Sequence, residues 1–167
     1  MFEYYKYIID DEGVELNNYV ELDADGFCLR MILEKGEQYY TSNFVHSENP
    51  CFLPEGSLEE FKTEMNPVQQ EVFYKKWDSI MLLNKPRFES LKVNNPIGKV
   101  MPTVINCFYP QGVILNLESN FHGITNHSKC LQLIGTDKMY PGTILNSKIS
   151  GYDNENMMLI FETLDSP

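Results

Sequence analysis

The sequence predicts a mainly β protein with an antiparallel N-terminal β-meander, a bridging helix and a five-stranded C-terminal barrel. Short apolar and aromatic runs are separated by turns rich in Asp and Gly, which is typical of strands joined by hairpins. One segment alone repeats apolar residues at helical spacing. The 167 residues are 43% hydrophobic and 13% aromatic, enough to bury a sizeable core. The predicted domains are an acidic β domain (1–62), a helical connector (63–96) and a barrel (97–167).

The N-terminal runs predict four strands, and each run ends at a short polar turn. These strands are 2–9, 16–22, 27–33 and 37–42. Asp and Gly at the turns supply local hydrogen bonds and positive φ angles, as hairpins require. Because no connection has room for a crossover helix, we expect the sheet to be antiparallel.

The central segment carries two helix-start signals. Ser57 and Glu60 have the spacing of a capping box, and Asn66 before Pro67 reads as a cap followed by a first helical residue. The apolar periodicity that follows predicts a helix over 67–84. We expect an irregular stretch over 85–96, because prolines lie near both of its ends.

The C-terminal runs predict five strands with a longer connection between the third and the fourth. They are 99–108, 112–117, 121–125, 143–149 and 157–163. This count and spacing indicate a small closed Greek-key barrel. We expect Gly112 at a bulge with positive φ in the second strand, and neither a helix nor parallel pairing within 99–125.

The motifs at 112–117, 123–128, 140–142 and 148–153 together resemble an S1-type RNA-binding domain, a branch of the OB-fold. The family stacks bases on two aromatics that flank the bulge glycine, and Gln111 and Ile114 stand at those positions. A frequent family histidine corresponds to Asn126, and the basic residue of the last strand falls near Met157. The resemblance therefore implies an RNA-binding fold that lacks much of its stacking and charge. The remaining candidates for a nucleic-acid face are Phe108, Tyr109, Phe121, His122, Asn126 and His127.

Residues 21–25 and 53–61 are similar to a small uncharacterised bacterial domain family, which implies no particular chemistry. The charge of this part of the chain is more informative. Residues 1–62 hold 14 acids and four bases, a net charge of −10, whereas the whole chain carries −11. A surface of one sign attracts a partner of the opposite sign. The candidate partner-binding carboxylates are Glu21, Asp23 and Asp25 at a hairpin tip, and Glu55, Glu59 and Glu60 at a helix start.

No catalytic motif occurs in the sequence, and we expect neither an enzyme nor a cofactor. The four cysteines are scattered, which is typical of reduced thiols in a cytoplasmic protein. A zinc site built from His122, His127, Cys107 and Cys130 is an open alternative. No apolar run is long enough for a membrane span, and the early acid is unlike a secretory signal.

These observations favour a non-enzymatic acidic binding protein whose partner is a basic protein surface. One version is a cytosolic inhibitor of the immunity type, which masks a cationic partner. The alternative is an RNA-binding S1-like module with an acidic regulatory domain, for which we expect weak affinity for single-stranded RNA. A third reading is a structural or assembly role with no fixed ligand.

Overall fold

The computed structural model describes residues 1–46, 51–117 and 119–165. The chain forms two compact units, Met1–Leu82 and Leu83–Pro167. The first unit contains strands β1 (Glu3–Asp11), β2 (Val14–Leu22), β3 (Cys28–Lys35), β4 (Gln38–Thr41) and β5 (Asn66–Pro67), and a 3₁₀ helix (Glu59–Glu64). Helix α1 (Gln70–Asn94) begins in the first unit and ends in the second.

The second unit is a closed barrel with the strand order β10-β8-β7-β6-β9. Its strands are β6 (Val100–Tyr109), β7 (Gly112–Asn116), β8 (His122–Thr125), β9 (Ile144–Asp153) and β10 (Met158–Asp165). Helix α2 (His127–Ile134) and a 3₁₀ turn (Thr136–Lys138) connect β8 to β9. The meander, the helix and the five-stranded barrel confirm the predicted fold class, and the barrel fits an OB-like fold.

In the first unit the sheet has the order β4-β3-β2-β1-β5 and is antiparallel throughout. The β1–β2 turn consists of Glu12 and Gly13, both with positive φ (53° and 85°). This is the type I′ geometry that matches the twist of the flanking strands. Asp10 Oδ1 accepts a hydrogen bond from Gly13 N at 2.7 Å, which stabilises the turn.

The two faces of this sheet are covered by different elements. Helix α1 packs on one face, where the rings of Tyr4 and Phe73 lie 5.5 Å apart. The other face carries the fully buried side chains of Val20 and Leu22. There Cys51 Sγ lies 3.9 Å from the Met31 carbonyl oxygen, so the segment that begins at Cys51 lies against this second face.

Two helix boundaries differ from the prediction. Asn66 and Pro67 form β5 on the edge of β1 and do not start a helix, because Val68 N donates to Tyr4 O at 2.9 Å and extends that pairing. Helix α1 also continues through Pro86 to Asn94, so the irregular stretch expected over 85–96 is mostly helical. Pro86 cannot donate to the carbonyl of Leu82, but both residues are exposed, so water can satisfy that carbonyl.

The barrel contains one parallel pair, between β8 and β10, so the expectation of antiparallel pairing throughout 99–125 is wrong. Successive strands alternate in direction, and β8 and β10 therefore run the same way. The long connection through α2 places β10 beside β8, which closes the barrel through a parallel contact. The bulge also differs from the prediction, because the register shift lies in β6 between Ile105 and Cys107. Gly112, with φ of 156°, is required for another reason: a Cβ there would lie 2.5 Å from Thr125 O.

The barrel interior is close-packed around a glycine in β8. A Cβ on Gly123 would lie 2.6 Å from Cε2 of Phe161, a ring that is only 3% exposed. Two hydroxyl pairs lie in the same interior. Thr103 Oγ1 and Ser147 Oγ are 3.0 Å apart, and Thr125 Oγ1 and Thr163 Oγ1 are 3.2 Å apart. Phe161 thus occupies the space that a side chain at position 123 would need.

We expect Gly123→Ala to lower the free energy of unfolding of the barrel by about 1–3 kcal/mol, because the added methyl overpacks a closed interior. The matched control is Gly151→Ala in β9, where the new Cβ would meet Ile160 Cδ1 at an ordinary 3.6 Å. Urea unfolding followed by circular dichroism measures both variants. Equal unfolding midpoints for the two variants would contradict the packing described here.

Candidate functional site

Glu21 is not on the surface, contrary to the prediction that it contributes to an exposed acidic cluster. Its side chain is 2% exposed and forms an ion pair with Arg30, with Oε2 at 3.1 Å from Nη1. The hydroxyls of Tyr4 and Tyr74 donate to Glu21 Oε1 at 3.0 and 3.1 Å. This carboxylate belongs to the interior of the first unit and is unavailable to a partner protein.

The surroundings of Glu21 compensate its burial. Arg30 also donates to the Tyr74 hydroxyl at 3.0 Å and lies over the ring of Trp77, with its guanidinium carbon 5.4 Å from the ring centroid. Burial and the neighbouring Glu21 carboxylate raise the pKa of Tyr4 well above its usual range. The tyrosine therefore stays protonated and continues to donate its hydrogen bond to the carboxylate.

The structure brings the other predicted acidic residues together from two separate segments. Asp23 Oδ1 accepts hydrogen bonds from Asp25 N at 3.0 Å and Phe27 N at 2.9 Å, which forms the β2–β3 tip. Ser57 Oγ donates to the Asp25 carbonyl at 2.6 Å, and Leu58 N donates to the Gly26 carbonyl at 2.8 Å. The tip is therefore fastened to the segment that carries the second acidic cluster.

Ser57 thereby has a different role from the predicted capping box. Its Oγ accepts a hydrogen bond from Glu59 N at 3.2 Å and donates to Asp25 O, and the 3₁₀ helix that follows has no side-chain cap at Leu58. The approach is close, since a Cβ on Gly26 would lie 2.6 Å from Ser57 Oγ. Sequence spacing identified a residue that organises this segment, but its partner lies 32 positions away.

We call the joined carboxylates the acidic surface. Its side chains are exposed except for that of Asp23, which is half-buried. One cation, Lys62, lies beside it, and Lys62 Nζ contacts Glu3 at 2.5 Å and Glu59 at 2.6 Å. Hydrogen bonds to these two carboxylates raise the pKa of Lys62, so its charge is already compensated. The members of the acidic surface are Asp23, Asp25, Glu55, Glu59 and Glu60.

The predicted nucleic-acid face divides into exposed and buried residues. Phe108, Asn126 and His127 are exposed, and the rings of Phe108 and His127 meet edge to face with centroids 6.0 Å apart. Asn126 is the N-cap of α2, where its Oδ1 accepts a hydrogen bond from Lys129 N at 3.0 Å. A sequence signal could have located α2: Asn126 is its N-cap and Gly135 is its C-cap.

The other three predicted residues, Tyr109, Phe121 and His122, are buried. The ring of Phe121 packs against Phe88 at a centroid distance of 5.5 Å, so neither Phe121 nor His122 presents a flat face to solvent. Ile114, for which the sequence resemblance implied a stacking position, is also fully buried. Phe108 and His127 are therefore the aromatic rings of this set that a base could reach.

Sequence reasoning missed a groove of about 610 Å³ between α2 and β10. Lys129, Leu133 and Ile160 line it, together with Glu162. Lys148 pairs with Glu162 at 2.6 Å and lowers the pKa of that carboxyl through a hydrogen bond. The groove thus combines the apolar side chains of Leu133 and Ile160 with the cation Lys129. Among the described residues, no carboxylate lies within ion-pair distance of Lys129.

Within residues 1–46, 51–117 and 119–165, no three His, Cys, Asp or Glu side chains are grouped so that they could hold a metal ion. The zinc site considered from the sequence therefore has no support, since His122 lies inside the barrel and His127 on its surface. All four cysteines are free thiols. None of the described helices is long and apolar enough to cross a membrane.

The chain matches no known protein family, and it matches no curated protein. Among solved structures it is similar to a multidomain protein with nucleic acid binding domains from Streptococcus pneumoniae TIGR4, with 10% sequence identity and a TM-score of 0.31. The similarity covers 98% of this chain and 51% of that protein, so the chain spans about half of its length.

We expect Glu21→Gln to destabilise the first unit by about 3–5 kcal/mol, because it leaves the buried Arg30 charge without its counter-ion. Trp77 is the single tryptophan of the chain and lies beside Arg30, so its fluorescence during urea unfolding reports on this unit. The control is Glu55→Gln, an exposed acid of the acidic surface, which should leave the unfolding midpoint unchanged. Equal midpoints for the two variants would mean that the ion pair does not stabilise the unit.

Proposed function

We propose that this chain is a non-enzymatic binding protein whose acidic N-terminal unit docks on a basic surface of another protein. One observation carries the proposal: hydrogen bonds from Ser57 and Leu58 to the β2–β3 tip join two acidic segments into one surface. The unit also concentrates nearly all of the excess negative charge of the protein.

The geometry favours fast and specific association. The backbone of the tip is held by four hydrogen bonds to Asp23, Ser57 and Leu58 described above, so docking requires little ordering of the chain. Exposed carboxylates of one sign steer a cationic partner during encounter. A concrete form of this function is an immunity-type inhibitor that masks a basic partner by covering its cationic cleft.

Burial of the thiols argues against a cysteine nucleophile. Burial raises the pKa of Cys51 to about 12 and that of Cys107 to about 11, and it raises the pKa of Cys28 further still. At neutral pH such thiols hold almost no thiolate, which is the nucleophilic form. The buried carboxylate, Glu21, is already paired with Arg30.

We expect the triple variant Asp25→Asn, Glu55→Gln, Glu60→Gln to bind a basic partner with an association rate about tenfold lower at low salt, because steering by clustered charge is weakened. The partner is first captured from native cytosol and identified by mass spectrometry. Its association with the wild type and the variant is then measured by surface plasmon resonance as salt concentration rises.

The matched control removes the same amount of charge elsewhere: Glu37→Gln, Glu71→Gln and Asp78→Asn, all of which are exposed. The control should retain the wild-type association rate at low salt. If no basic protein is captured, or if both triple variants lose rate equally, the charge serves solubility alone and the proposal fails.

A specific observation favours RNA binding by the barrel as a second candidate function. Phe108 and His127 form an exposed aromatic pair at the start of α2, and Lys129 lies two residues further along the chain on the groove. A base can stack on Phe108, and a phosphate can contact Lys129. With a single exposed aromatic pair and few cations, the affinity should be low.

We expect a single-stranded oligonucleotide to bind weakly at low salt and to be released near about 0.15 M salt, because few phosphates are neutralised. Fluorescence anisotropy measures binding for the wild type, for Phe108→Ala with Lys129→Gln, and for the control Lys75→Gln on the exposed side of α1. Tight binding that persists at physiological salt would reverse the order of the two candidates.

A further inference from the structure

Strand β1 has an outer edge that is only partly paired. β5 pairs with it at Tyr5 and Lys6, and no other strand among the described residues pairs with this edge between Tyr7 and Asp11. The edge is therefore open along the second half of β1. An open edge of this kind is a template for an added strand.

The backbone groups at this open edge can be assigned. Asp11 and Val14 flank the two-residue β1–β2 turn and so exchange hydrogen bonds with each other. Because the direction of the backbone groups alternates along a strand, Ile8 and Asp10 point their N–H and C=O groups away from β2. The bond from Val68 N to Tyr4 O, at 2.9 Å, lies on the same outward side and confirms this alternation.

A groove of about 530 Å³ runs beside the open edge. Its walls combine β1 with the 3₁₀ helix and the segment before it, and Asn66 of β5 lies in the lining. The side chains of Ile8 and Phe61 are 50% and 52% exposed, which is unusual for residues of their size. The apolar and aromatic lining residues are Tyr7, Ile8, Pro54, Leu58, Phe61 and Met65.

The charges around the groove are mostly acidic, and the cation of β1 beside it, Lys6, lies over the Tyr19 ring. Glu64 lines it, and Asp10, Asp11 and Glu12 are exposed at the far end of β1. Lys62, the cation of the adjacent 3₁₀ helix, is paired with Glu3 and Glu59. An occupant with Lys or Arg is therefore favoured, whereas a second copy of this acidic unit would bring like charges together.

We propose that the open edge of β1 binds an extended segment of a basic protein as an added β-strand, with apolar side chains in the groove and basic side chains between them. Outward N–H and C=O groups at Ile8 and Asp10 supply main-chain pairing, and the groove supplies side-chain selection. This proposal rests on the proposed function in one respect, because it takes from it that the partner protein is basic. It adds a second contact region, distinct from the acidic surface.

The probe is a short fluorescent peptide of alternating lysine and valine, and binding is measured by fluorescence anisotropy. A peptide of the same sequence with N-methyl groups on one edge is the control probe, because it cannot pair with β1. Ile8→Pro removes an outward N–H without touching a bond to β2, and we expect it to weaken binding by about tenfold or more. Phe61→Ser, which opens the groove, should also weaken binding.

The matched control for Phe61→Ser is Phe2→Ser, which alters a phenylalanine of similar exposure (55%) outside the groove lining. Trp77 fluorescence verifies that each variant is folded, and if Ile8→Pro does not fold, the Phe61→Ser and Phe2→Ser pair decides. The proposal is overturned if the N-methylated peptide binds as well as the plain one, or if Phe61→Ser and Phe2→Ser bind alike. Sedimentation that shows a dimer lost in Ile8→Pro would also overturn it, since the occupant would then be a second copy.

The triple variant of the acidic surface separates this proposal from the function on which it rests. If the peptide binds that variant and loses affinity only with Ile8→Pro and Phe61→Ser, the strand-addition site stands even where the acidic surface has no partner. If a basic protein requires the acidic surface but binds Ile8→Pro and Phe61→Ser normally, the proposed function stands and strand addition is wrong.

Discussion

The carboxylate of Glu21 lies in the interior of the first unit, and the rest of that unit is arranged around it. A buried charge is tolerated only where a counter-ion and hydrogen bonds replace water, and here Arg30, Tyr4 and Tyr74 do so. These partners come from β3, β1 and α1. A slip of one residue in β2 would turn Glu21 to the opposite face, so this requirement specifies both the strand register and the face of α1 that meets the sheet.

The two candidate interaction regions of this unit follow from the same arrangement. With α1 on one face of the sheet, the segment that begins at Cys51 lies on the other face and reaches the β2–β3 tip through Ser57. That contact creates the acidic surface. The same segment continues through the 3₁₀ helix to β5, which ends after two residues and leaves the β1 edge open beside the groove. The same stretch of chain thus forms part of the acidic surface and leaves the β1 edge open.

The barrel fits an OB-like fold, but several side chains predicted for a nucleic-acid face lie inside it. Ile114, for which the sequence resemblance implied a stacking position, is fully buried. Phe161 fills the interior beside Gly123, and the hydroxyl pairs are satisfied within the barrel. Function depends on the side chains of a site and not on the scaffold, so the RNA binding proposed for this barrel depends on Phe108, His127 and Lys129.

The sequence by itself determined the strands, their turns and the sign of the charge, because hydrophobic alternation, Asp-Gly turns and residue counts are local properties. The tertiary structure decided which charged and aromatic residues are accessible. Glu21 and Asp25 look alike in the sequence, but one meets Arg30 inside the fold and the other stays in water. Of the two phenylalanines predicted for one nucleic-acid face, Phe121 is buried and Phe108 is exposed. Asn66 and Pro67 carry a sound helix-start signal, yet the edge of β1 pairs with them. Each of these outcomes depends on a contacting residue that is distant in the sequence, and no local pattern indicates which residue that is.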